Sequence, residues 1–165
     1  MKHTPFFLAL LLLAALSSPG FAQKKLIDDV RRAYPDESEY VLLKGAMLEK
    51  GKDYLKSLDE DLIPQGAKLE EVSTLLLNDK GGAEYLANQL PSLTEKEGYE
   101  VNMAVQMKGE IIFTLSKSEP LKDAPGYRYR NHYIVYNQDG PEAQLVWCVF
   151  LLADKPEGMK TEEPQ

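Results

Sequence analysis

The sequence predicts an α+β fold, with N-terminal helices packed on a C-terminal antiparallel sheet of about four strands arranged as two hairpins. Three observations carry this. Apolar residues repeat at helical spacing in the first half, as at Leu26, Ile27 and Val30. They alternate with polar ones in the second half, as at Tyr99, Val101, Met103, Val105 and Met107. Turn signals at Met107-Lys108-Gly109 and Gln138-Asp139-Gly140 then divide the second half into paired strands.

The chain opens with Lys2 and His3, an unbroken apolar run from Phe6 to Leu16, and a breaking Ser17-Ser18-Pro19-Gly20. Gly20 and Ala22 put small residues at the −3 and −1 positions of a cleavage site. This is the layout of a secretory signal peptide over 1–22. The run is too short for a membrane span, which needs about 20 apolar residues. The domain organisation expected is a cleaved leader at 1–22, a single α+β domain at 23–154 and a flexible polar tail at 155–165. The destination expected is the bacterial periplasm or the extracellular space. The mature form is expected to have no membrane span.

A short helix around Leu26–Val30 ends before Pro35. From Tyr40 to Leu62, Tyr40/Met47/Tyr54 and Val41/Leu48/Leu55/Leu62 recur every seven residues. They fit one amphipathic helix or two, broken by Gly45 and Gly51. A strand over Tyr40–Leu48 followed by a helix also fits. Residues 67–78 fit a helix through Leu69, Val72, Leu75 and Leu76, or a strand closed by Asn78-Asp79-Lys80-Gly81-Gly82. Ala83–Leu90 reads as a short helix ended by Pro91.

In the first hairpin, a three-residue loop with Gly109 at the left-handed position sets Ile111 opposite Val105, Phe113 opposite Met103 and Leu115 opposite Val101. All six then share one face, the preferred register, whereas a two-residue loop would set Val105 opposite Ile112 and turn Phe113 outward. The second hairpin joins Arg128–Tyr136 to Gln144–Ala153. The run Leu145–Leu152 is apolar on both faces and so belongs in the centre of a sheet, covered on both sides, or at an oligomer interface. One sheet face is expected to pack on helices, the other to carry the polar sides of the first hairpin and to be open to the Arg/His strip.

The candidate site is the strand Tyr127–Tyr136. Alternation sends Arg128, Arg130 and His132 to one face, and Tyr129 and Tyr133 with Tyr127 to the other. Arginine offers paired donors to carboxylate or phosphate, and tyrosine gives large contact area at low entropic cost. The competing interpretation is a solvated strand whose arginines pair with local carboxylates. The single cysteine, Cys148, reads as a small buried residue in an apolar strand. With loop residues 138–140, His132 would lie diagonal to Cys148 on the same face; a loop one residue longer or shorter separates them. Met103 and Met107 read as core, and Asp59-Glu60-Asp61 as a solvated helix end.

The absences narrow the chemistry. One Cys and two His, one of them in the leader, exclude multi-His zinc, iron–sulfur and Cys-x-x-Cys sites. No Gly-x-Ser-x-Gly, Ser-x-x-Lys, His-Glu-x-x-His, P-loop or Gly-x-Gly-x-x-Gly pattern occurs. A net charge of −7 argues against nucleic acid as a partner. No cofactor or metal is expected. The function expected is that of an exported non-enzymatic binding protein, of the inhibitor or immunity type, masking a protein or small-molecule partner through Arg128, Tyr129, Arg130, His132 and Tyr133. A lipid or small-ligand carrier with an apolar cavity is the first alternative. A small hydrolase using two carboxylates is the second.

Overall fold

The computed structural model describes residues 21–154, with side chains from Lys24 onward. The proposed leader, except for Phe21 and Ala22, and the tail at 155–165 lie outside the described residues. Helix α1 (Phe21–Ala33) is followed by β1 (Ser38–Leu43), a 3-10 turn (Gly45–Met47) and α2 (Leu48–Leu58). Next come β2 (Lys68–Asn78), α3 (Lys80–Glu97), β3 (Glu100–Met107), β4 (Glu110–Pro120), β5 (Tyr129–Asp139) and β6 (Glu142–Leu152). The six strands form one antiparallel sheet in the order β1-β2-β6-β5-β4-β3.

The α+β class holds, but the sheet has six strands rather than about four. The two additional strands come from the stretches whose patterns were ambiguous. Tyr40–Leu62 divides into β1 and α2 instead of forming one long helix, and 67–78 is β2. Pairing decides both. β1 lies against β2 from Ser38–Leu77 to Leu43–Val72, and β2 lies against β6 from Lys68–Leu151 to Asn78–Glu142. Local periodicity carries no information about such distant partners.

Two cores sandwich this sheet. On the first face α1 and α3 supply Leu26, Ile27, Val30, Leu86, Leu90 and Leu93. They pack over Leu75, Leu115, Ile134, Leu145 and Trp147, whose ring stands edge-on to Tyr99 at 5.6 Å. On the second face Leu55 of α2 joins Leu69, Val72, Val146, Cys148 and Phe150. The run Leu145–Leu152 is therefore an inner strand feeding both cores, as its two apolar faces predict. Gly51 lets α2 approach the sheet closely, since a Cβ there would sit 3.0 Å from the Val72 side chain.

Helix α3 runs through Pro91 to Glu97 rather than stopping before it. Pro91 forgoes its backbone bond to the preceding turn, but Leu90 and Leu93 on either side are buried, and this packing carries the helix on. The helix is defined at both ends. The Asp79 side chain accepts from the Gly82 N–H at 2.7 Å. Gly98, at φ 72°, closes the C-terminus in a left-handed conformation while the Tyr99 N–H bonds the Leu93 carbonyl.

The first hairpin departs from the expected register. Its loop is the two-residue Lys108-Gly109, both at positive φ, so Met107 pairs with Glu110, Val105 with Ile112 and Ala104 with Phe113. A bulge between Val101 and Met103 then restores the expected Val101–Leu115 pair. In consequence Met103 and Met107 are not core. They lie on the second face, 43% and 60% exposed, while Phe113 stays on the first. The second hairpin also turns in two residues, Gly140-Pro141, because a proline in the loop itself gives up no ladder hydrogen bond.

Candidate functional site

β5 is an inner strand, flanked by β6 and β4, so its candidate residues are divided between the two faces. Arg130 and His132 project to the first face, with Ile134 and Tyr136 and under α1 and α3, and not to the face that carries the polar half of the first hairpin's expected pattern. Tyr129 and Tyr133 project to the second face, where they border the Leu55–Phe150 core. Arg128 precedes the strand and is exposed; its backbone N–H bonds the Leu152 carbonyl.

The basic residues of this strand meet carboxylates from its neighbours. Arg130 Nε donates to Glu70 Oε2 at 3.0 Å, across the intervening strand β6. Lys117 Nζ lies 2.9 Å from Glu119, and the buried His132 Nε2 lies 3.7 Å from the same carboxylate, an ion pair only when the ring is protonated. The sequence reading missed Glu70, Lys117 and Glu119 as partners, since only strand pairing brings them to β5. Glu119 is held at about 2, first by His132 and then by Lys117, against the opposing effect of its burial.

A carboxyl with a lowered folded-state pKa stabilises the fold above its unfolded value near 4.5 and loses that contribution as pH falls toward 2. We therefore expect Glu119→Gln to destabilise the protein at pH 7 by about 1–2 kcal/mol, allowing for solvent screening of this partly exposed group. The deficit should shrink as pH falls from about 5 to about 2. Urea unfolding of both forms across that range checks it; a deficit that does not change with pH contradicts it.

His132 and Cys148 do not form a dyad. His132 pairs with Val149 and Cys148 with Tyr133, so the two side chains lie on opposite faces. Burial pushes the Cys148 thiol up to about 12, which makes it a poor nucleophile. Asp59, Glu60 and Asp61 are exposed beyond the end of α2.

The second face has a feature that local pattern did not indicate. Met103, Thr114, Val135 and Val146 run in one cross-strand row from the exposed edge at Met103 to the buried Val146 of the α2 core, with Ile112 and Tyr133 beside it. At the end of the same face lies a groove of about 410 Å³ lined by Glu37, Glu39, Leu76, Asn78, Asp139 and Glu142 among others. Its four carboxylates are all exposed, and among the described residues none pairs with a basic side chain. They come from two separate parts of the chain, the start of β1 and the β5–β6 turn. Among the described residues no group of His, Cys, Asp and Glu is arranged to hold a metal ion, and no helix is long and apolar enough to cross a membrane.

Fold and site together define an α+β chain with a doubly covered antiparallel sheet and one half-open sheet face. No protein-family model matches the chain, and no curated protein matches it.

Proposed function

We propose that the chain is an exported binding protein that masks a protein partner without catalysis. The observation that carries this reading is the half-open second face, where the exposed Met103 and Met107 of β3 lie on the same side of the sheet as the half-buried Ile112, Tyr133 and Val135. Tyrosines beside an adaptable methionine surface suit protein recognition. In this reading Arg128 flanks the contact, while Arg130 and His132 hold β5 in place through Glu70 and Glu119. The acidic groove at the rim favours a basic partner surface. The leader-like sequence of 1–22 supports export.

The carrier alternative loses its motive, because the doubly apolar strand is accounted for by two packed cores. The carboxylate-hydrolase alternative would draw on the groove acids. All four are exposed, whereas a general acid is tuned by burial.

The test is light crosslinking and co-purification of the tagged chain from its native host, with Ile112→Glu and Arg128→Glu beside it. A stoichiometric partner of different sequence, lost with Ile112→Glu and weakened with Arg128→Glu, is the expected result. A partner retained by folded Ile112→Glu overturns the assignment of the face, and absence of any partner overturns the function. A captured second copy of this chain bears on the inference below and not on this reading.

A further inference from the structure

Among the described residues, nothing covers the edge strand β3. Free N–H and C=O groups at a sheet edge template further pairing, and edges are normally protected by charge, proline, shortness or a covering element. β3 has no charged residue between Val101 and Met107, and every residue in it except Val105 is exposed. The opposite edge, β1, is shorter, carries Glu39 within it, and has Arg31 laid over Tyr40. Glu100 and the bulge at Asn102 guard only the start of β3 and leave Met103–Met107 regular and uncharged.

The hairpin fixes which backbone groups point outward. The closing pair of a two-residue hairpin exchanges both hydrogen bonds, and inward bonding then falls on alternate residues. Met103, Val105 and Met107 therefore bond to β4, while Ala104 and Gln106 direct their N–H and C=O groups away from the sheet.

We propose that β3 pairs antiparallel with β3 of a second copy of this chain, about a two-fold axis at Val105, doubling the six-stranded sheet. A two-fold axis through a residue keeps equivalent side chains on the same face. Centring on Val105 sets Met103 opposite Met107 of the second copy, Ala104 opposite Gln106, and Val105 opposite itself. This uses only the regular stretch, and it satisfies the outward groups of Ala104 and Gln106 in both copies. Met103, Val105 and Met107 of the two chains then form one continuous apolar row. Charge sets the direction. Glu100 lies at one end of the strand and Lys108 just past the other, so antiparallel pairing brings each Lys108 toward the Glu100 end of the second copy. Parallel pairing would set like against like. This complementarity of the strand with itself is why a second copy is the occupant, and the inference stands independently of the binding reading above.

Sedimentation velocity of the purified chain, as the cell processes it, is the test. The sedimentation coefficient is expected to rise with concentration toward that of a dimer. Ala104→Pro removes only an outward N–H, and Val105→Lys sets two ammonium groups face to face at the axis. Each should weaken association at least about tenfold with an unchanged circular dichroism spectrum, while Val41→Lys on the other edge should leave it intact. Hydrogen exchange on the unaltered chain gives a reading free of folding effects: the Ala104 and Gln106 amides should gain protection as concentration rises. A chain that stays monomeric throughout, amides that gain no protection, or association that survives in folded β3 variants overturns the proposal.

Discussion

Phe150→Ala is expected to cost about 3–5 kcal/mol and to unfold both cores together. Phe150 is 1% exposed and belongs to the core beneath α2, whereas Trp147, three residues earlier on the same strand, belongs to the core beneath α1 and α3. A single backbone ladder, β2-β6-β5, carries both. Removing the phenyl ring opens a cavity on one face. If the sheet is one cooperative unit, Trp147 on the other face must report the same loss. Chemical denaturation followed by Trp147 fluorescence and by far-ultraviolet circular dichroism should give coincident curves, both displaced from those of the unaltered chain. Given typical domain stabilities of about 5–15 kcal/mol, the variant should be marginally folded. Separated transitions, with fluorescence unmoved, would mean that the two cores fold independently.

The second large effect is expected at Tyr136. Its ring is fully buried in the first core, and its hydroxyl lies 2.9 Å from the Ala83 carbonyl of α3 and 2.9 Å from Gln138 Oε1. Gln138 in turn donates to the Gly140 carbonyl at 3.0 Å. Burial raises the Tyr136 pKa, so the hydroxyl stays protonated and able to donate. Tyr136→Phe keeps the ring but removes the single O–H proton that the Ala83 carbonyl and the buried Gln138 oxygen share, leaving both acceptors without it. The expected cost is about 2 kcal/mol. Because the change in packing volume is small, that cost reports the hydrogen bonds. Urea unfolding measures it, and an unchanged midpoint would show that the network adds nothing.

Much of the second half of the chain was legible because burial pins it. There the doubly apolar Leu145–Leu152 predicts an inner strand; in the first half, Leu26, Ile27 and Val30 predict the buried stripe of α1 in the same way. All three α1 residues are buried. The register of the first hairpin departs from the one alternation predicts because β3 is an edge strand with little burial to fix it. There the turn decides, and Lys108-Gly109 imposes a two-residue loop. The Asn102 bulge then returns Val101 to its expected partner, a correction that alternation alone cannot encode. β1 and β2 are ambiguous for a different reason: β2 is a strand because it pairs with β6, some seventy residues away, and β1 because it pairs in turn with β2.

The candidate site was partly legible in the same sense. Alternation along β5 separates Arg130 and His132 from Tyr129 and Tyr133, and the structure keeps that separation. The carboxylates that meet the basic side chains, Glu70 and Glu119, come from strands whose order the sequence does not state. The acidic groove unites residues 37–39, 76–78 and 137–144, and only the net negative charge of the chain anticipates it.

The binding reading is tested most directly by a photo-crosslinking residue placed at Ile112, on the open face, and separately at Lys56, on the exposed side of α2. Illumination in the native host should give one adduct of defined mass with a different protein from position 112 and none from position 56. Equal adducts from both positions, or none from position 112, would contradict recognition through the open face.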